Sequence, residues 1–141
     1  MYSRILGKLM LSESNVSKRN PVSYSIWLMP EGNVKDQLKN AIYSLSNDFG
    51  GPKFKPHVTL VSSFIGSEKD LLQKTEMLSK RVKRFEIFFG RIDTLHKFSI
   101  KFLEVKFTIE LKKVRDIICS RLNWFDNDYF SHVKMAYGDF N

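Results

Sequence analysis

Two short stretches carry residue types that can move protons around an anion. Pro56-His57-Val58-Thr59-Leu60 and Ser131-His132-Val133-Lys134-Met135 each place a histidine two positions before a polar side chain. Side chains alternate faces along a strand, so His57 and Thr59 would point one way while Val58 and Leu60 point into a core. His132 and Lys134 would share a face in the same manner, over Val133 and Met135. The reference pKa of histidine, about 6.5, suits it to act as acid or as base near neutral pH. Two imidazoles, each with a neighbouring donor, can converge on one phosphate. In-line attack on a phosphate ester needs a base on one side of phosphorus and an acid on the other, which a single histidine cannot supply. Thr59 would then donate to one non-bridging oxygen and Lys134 would place charge at another. Either histidine can take either role.

The elements that must position these residues follow from periodicity and punctuation. Val22 to Met29 alternates as a strand, with Tyr24, Ile26 and Leu28 on one face. Pro30, Glu31 and Gly32 break it. Asn33 with Asp36 suggests a capping box, and Val34, Leu38, Ile42, Leu45 and Phe49 repeat at helical spacing up to the stop at Gly50, Gly51 and Pro52. The first histidine strand, 57 to 64, comes next. Ser67 and Asp70 cap a second helix carrying Leu71, Thr75, Leu78 and Val82. Phe85, Ile87 and Phe89 alternate, Asp93 to Lys97 reads as a turn, and Phe98 to Phe107 alternates again, which predicts a hairpin. A third helix spans roughly Glu110 to Leu122, with Leu111, Val114, Ile118 and Leu122 inward. A loop over Asn123 to Asp128 leads into the second histidine strand. Strand, helix, histidine strand therefore occurs twice, at Tyr24 to Leu60 and at Leu103 to Tyr137. Two such halves related by a pseudo-twofold would bring both histidines to one cleft.

Composition bounds the partners. The chain has 141 residues, 43% hydrophobic, which fits one domain able to bury a core. Lysine and arginine number 23 against 15 acidic residues, a formal charge of +8 that suits an anionic partner. Cys119 is alone, so no internal disulfide forms, in keeping with a reducing compartment. No apolar run approaches the roughly 18 residues a membrane span needs. Three histidines and one cysteine show no zinc spacing, and no glycine-rich phosphate loop is present. No metal and no cofactor is expected. Residues 1–20, with Arg4, Lys8, Lys18 and Arg19 against Glu13, read as a disordered or targeting tail, and 21–141 as the domain. The expected location is cytoplasmic, with mitochondrial as the alternative. His96 sits in a turn and reads as solvated, and the basic run Lys80 to Arg84 as a solvated helix end. Trp27, Phe64, Tyr129 and Tyr137 are candidates to stack a nucleobase, with Trp27 and Tyr137 the leading pair.

At these residues the chain resembles the two-histidine (2H) phosphoesterase superfamily, and within it the plant and yeast cyclic phosphodiesterases. The matching pieces are Tyr24 to Pro30, Pro52 to Leu60 and Tyr129 to Asp139, within about residues 22 to 139. The resemblance implies an α+β fold: two lobes with antiparallel sheets around a central cleft, helices on the outside and both histidine motifs on the cleft floor. It implies metal-independent hydrolysis of ADP-ribose 1″,2″-cyclic phosphate or nucleoside 2′,3′-cyclic phosphates. His57 and His132 would be catalytic, and Thr59 would bind phosphate. Lys134 stands where the family has Ser or Thr. The family also continues with further elements, so the second lobe is expected to be incomplete. The alternative is a catalytically impaired relative that binds nucleotide or RNA ends. The expected partners are a small cyclic phosphate or an RNA end, with no membrane. The expected state is a monomer, with association through the incomplete lobe as the other option.

Overall fold

Alternating apolar residues and three amphipathic helices make one antiparallel sheet with helices across one face. The computed structural model of the chain describes residues 2–5, 8–14, 23–82, 85–126 and 128–138. Among these the strands are β1 (Tyr2–Ile5), β2 (Lys8–Ser14), β3 (Ser23–Met29), β4 (Val58–Phe64), β5 (Phe85–Leu95), β6 (Ile100–Val105) and β7 (His132–Tyr137). The helices are α1 (Gly32–Phe49), α2 (Glu68–Arg81) and α3 (Ile109–Leu122). The sheet order is β1-β5-β6-β7-β4-β3-β2, and its neighbours pair antiparallel. The duplicated units are β3-α1-β4 and β6-α3-β7. Their histidine strands, β4 and β7, lie side by side at the centre.

The core explains why the units hold together. Ile26, Leu28, Val58 and Leu60 from the first unit and Val133 and Met135 from the second are at most 2% exposed and share one cluster. Leu38 and Ile42 of α1, Leu71 and Leu78 of α2, and Leu111 and Ile118 of α3 complete it. The helices cross between halves: α1 packs on β7, and α3 packs on β4 and β5. Neither half can therefore bury its helix alone, and the seam between β4 and β7 is set by both. Gly51, just after α1, lies against the end of β7. A Cβ there would come within 2.3 Å of the Tyr137 carbonyl oxygen, so only glycine allows the approach.

Several local features differ from the sequence expectation. The expected tail contains two strands: β2 pairs with β3 from Lys8↔Met29 to Ser14↔Ser23, and β1 pairs with β5. Pairing of β2 covers an edge that β3 would otherwise leave open, and Leu9 is 4% exposed in the core. Residues 15–20 of that segment lie outside the described residues, as do Lys83 and Arg84 of the basic run and the side chain of Phe64. Helix α1 starts at Gly32, with Glu31 as N-cap and no side-chain cap, so Asn33 and Asp36 form no capping box. The expected turn at Asp93–Lys97 is displaced. Asp93, Thr94 and Leu95 pair with Phe102, Lys101 and Ile100, and the chain reverses through the 3-10 turn His96–Phe98 with Ser99 left-handed at φ 52°. The Ser67 cap of α2 and a Thr108 cap of α3, which accepts from the Leu111 N–H at 3.2 Å, stop those helices from fraying.

Candidate active site

The seam is short, and its register fixes the face the histidines share. β4 and β7 form a single register pair, Val58↔Val133. His57, just before β4, and His132, the first residue of β7, flank that pair at its two ends. The two histidines are then diagonal neighbours, roughly 7–8 Å apart at their backbones. With Val58, Leu60, Val133 and Met135 buried on the helix side, the polar side chains of His57, Thr59, His132 and Lys134 lie half-buried on the open face.

The two rings are held in the same way. His57 Nδ1 lies 2.8 Å from the Lys55 carbonyl, and His132 Nδ1 lies 2.8 Å from the Phe130 carbonyl. A carbonyl only accepts, so each Nδ1 carries a proton and donates. Each Nε2 is thereby left available to a ligand. Each ring also rests on an aromatic face: His57 on Trp27 at 3.6 Å between centroids and 14° between planes, His132 on Phe130 at 4.7 Å and 18°. Trp27 pairs with Thr59 across β3–β4, and Phe102 with Lys134 across β6–β7. Phe102 meets His132 edge-on at 5.9 Å.

Charge and burial tune both rings toward neutrality. Burial lowers the pKa of His57, opposed by its hydrogen bond to Lys55, with the charges of Lys134 and His132 lowering it further. Burial also lowers that of His132, opposed by its hydrogen bond to Phe130, and Lys134 lowers it further. The charge of one imidazole thus bears on the other, and Lys134 bears on both.

The remaining sequence candidates fall as follows. Trp27 spends one face on His57. Tyr137 would lie on the core face under strict alternation. The register slips between Lys101↔Ala136 and Phe102↔Lys134, so one extra residue bulges into β7. Met135 and Ala136 are consecutively buried at 2% exposure each. The bulge turns Tyr137 back to the open face. There the Lys134 ammonium stands 5.6 Å over its ring and Phe54 packs edge-on at 5.7 Å. His96 is exposed in its turn and away from the seam. Among the described residues, no three His, Cys, Asp or Glu side chains gather as a metal site, and no helix is long and apolar enough to cross a membrane.

Arg115 was not foreseen. It sits on the buried side of α3 at 7% exposure. Its Nε donates to the Leu60 carbonyl at 3.0 Å, its guanidinium pairs with Asp126, and it lies 3.8 Å over the Tyr129 ring. Tyr129 in turn donates its hydroxyl to the Thr59 carbonyl at 2.9 Å. Burial pushes the Tyr129 phenol well above its ordinary pKa, so it stays protonated and able to donate. A cavity of about 200 Å³ opens here, bounded by Thr59, Ser62, Asp126, Tyr129 and His132 among others. A larger hollow of about 520 Å³ lies between α2 and α3, lined by Arg81 and Arg121, and contains none of the seam residues.

A strand–helix–histidine-strand unit duplicated within one sheet, with its two histidines meeting at the seam, defines a two-histidine phosphoesterase fold. Comparison with known proteins is more specific: the cyclic phosphodiesterase-like protein family matches residues 22–141, and the chain belongs to that family. The chain is 24% identical over 118 residues to a cyclic phosphodiesterase of Arabidopsis thaliana, an overlap of 82% of this chain. That overlap spans 65% of the length of the plant protein.

Proposed function

We propose that this protein hydrolyses five-membered cyclic phosphates, nucleoside 2′,3′-cyclic phosphates or ADP-ribose 1″,2″-cyclic phosphate, by histidine acid–base catalysis that needs no metal. The observation carrying this reading is the matched tethering of the two imidazoles, each Nδ1–H tied to a carbonyl two residues back and each Nε2 left available on one sheet face. One Nε2 takes a proton from water as its oxygen attacks phosphorus. The opposite Nε2, protonated, gives its proton to the ribose oxygen as the P–O bond breaks, which yields a phosphomonoester. Thr59 donates to a non-bridging oxygen, and the Lys134 ammonium neutralises another. Tyr137, beside Lys134, and the remaining edge of Trp27 bound the space for the sugar and base. The family membership and the plant relative support this chemistry.

The test is turnover of 2′,3′-cyclic AMP in EDTA by wild type, His57→Ala and His132→Ala. Hydrolysis by wild type, with a loss of about 10²- to 10⁴-fold in each variant, is expected. Equal rates in all three proteins would end the proposal.

One observation favours a second reading, a relative that binds nucleotide or RNA ends without turnover. Lys134 replaces a short hydroxyl donor and lowers the pKa of both histidines, which leaves less of either ring protonated to serve as the acid at neutral pH. That reading predicts salt-sensitive binding of 2′- or 3′-phosphorylated nucleotides with no hydrolysis of the cyclic forms.

A further inference from the structure

The seam between β4 and β7 closes at one register pair and then parts. Beyond it, among the described residues, no further β4–β7 register pair engages the carbonyls of Thr59 and Leu60. Side chains take them instead: the Tyr129 hydroxyl at 2.9 Å and Arg115 Nε at 3.0 Å. The two are joined, since the guanidinium stacks 3.8 Å from the Tyr129 ring and is fixed from its other side by Asp126. Tyr129 is thus pinned to β4 directly, and Asp126 is tied to α3 through Arg115. The same stretch of chain is pinned to β6 through Ser131, whose hydroxyl donates to the Val105 carbonyl at 2.6 Å. Between these pins lies Phe130. Its carbonyl accepts the His132 Nδ1 proton, and its ring carries the His132 ring.

The first half is held differently. His57 rests on Trp27, which is fixed in the middle of β3. His132 rests on Phe130, a loop residue whose ring packs edge-on against Phe102 of β6 at 5.0 Å and whose backbone is set by its loop neighbours. The geometry points to Arg115 and Tyr129 as positioning residues for His132: by bracing Phe130 against β4 they set the tautomer and aim of that one imidazole and hold open the cavity beside Thr59. This rests on the proposed function only for its effect on rate. The structural part stands on the contacts alone.

The experiment is nitrogen-15 NMR of the imidazole rings in wild type, Tyr129→Phe and Tyr129→Leu, combined with kinetics on 2′,3′-cyclic AMP. Wild type should show both histidines locked with the proton on Nδ1. Tyr129→Leu, which removes both the hydroxyl and the surface beneath Arg115, should leave His57 locked and release His132 into a tautomer mixture. Its kcat should fall about 10- to 100-fold, the scale of a misplacement near 1 Å, with KM changed by less than a few-fold. Tyr129→Phe, which keeps the ring, should show the same selective change in smaller measure and covers the case in which the leucine variant does not fold. His132 unchanged in the folded variants, or His57 and His132 disturbed alike, would overturn the inference. Absence of turnover in wild type would instead remove the proposed function, and the NMR comparison would still decide this one.

Discussion

The two halves of the seam solve one problem with different materials. Each must hold an imidazole with Nε2 free, and each does so with a carbonyl two residues back and an aromatic face. In the first half the aromatic is Trp27 in a strand and the neighbouring polar group is the short hydroxyl of Thr59. In the second it is Phe130 in a loop, packed edge-on against Phe102, and the neighbour is the long cation Lys134. Under the proposed function, the difference separates what that chemistry demands from what it tolerates. The tethered imidazole recurs in both halves. The support beneath it and the group beside it vary.

Predictions follow in order of expected size. Alanine at His57 or at His132 should cost comparable factors, about 10²- to 10⁴-fold in kcat/KM for 2′,3′-cyclic AMP. A large loss at only one of them would break the equivalence of the halves. Arg115→Leu should then destabilise the fold by about 2 kcal/mol in urea titration, because it leaves the buried Leu60 carbonyl without its donor and takes the partner from the partly exposed Asp126. Lys112→Leu removes an exposed ion pair to Asp116 on the same helix and should change stability by only about 0.5 kcal/mol.

Lys134→Ser sharpens the comparison by making the second half resemble the first. The Lys134 charge lowers both histidine pKa values, so its removal raises them. Both limbs of the pH profile of kcat/KM should move to higher pH. Thr59→Ala, which removes no charge, should leave the limbs in place while lowering the rate. The smallest effect concerns stability. Both histidines have folded-state pKa values below 6.5, so the unfolded chain binds more protons as pH falls. Stability should therefore decline as pH drops from about 6.5 through the lowered folded values. His57→Asn should flatten that decline in thermal melts between pH 7 and 5.

Much of this arrangement could be read from the chain before any coordinates. Leu38 and Ile42 mark the buried stripe of α1, Gly50 its left-handed stop, and the motifs His57–Leu60 and His132–Met135 alternate as expected. What escaped has physical causes. Turning Tyr137 onto the histidine face takes a bulge at Met135, and a one-residue slip in pairing leaves no mark in local periodicity. The strands within residues 1–20 gain their order from β3 and β5, partners distant in sequence. Arg115 looked like one more charge on a helix, because its partners, Leu60, Asp126 and Tyr129, are assembled only by the fold. The tethering of Nδ1 to carbonyls depends on backbone direction just before each strand, which residue type does not encode.

The central claim is that a single phosphate is gripped from both sides by His57 and His132. A crystal structure with vanadate and a nucleoside, which mimic phosphorus in the act of transfer, tests it most directly. The account predicts one vanadate at the seam with an oxygen on each side about 2.6–3.2 Å from a histidine Nε2. Vanadate bound to one imidazole alone, with the other ring out of reach, would contradict it.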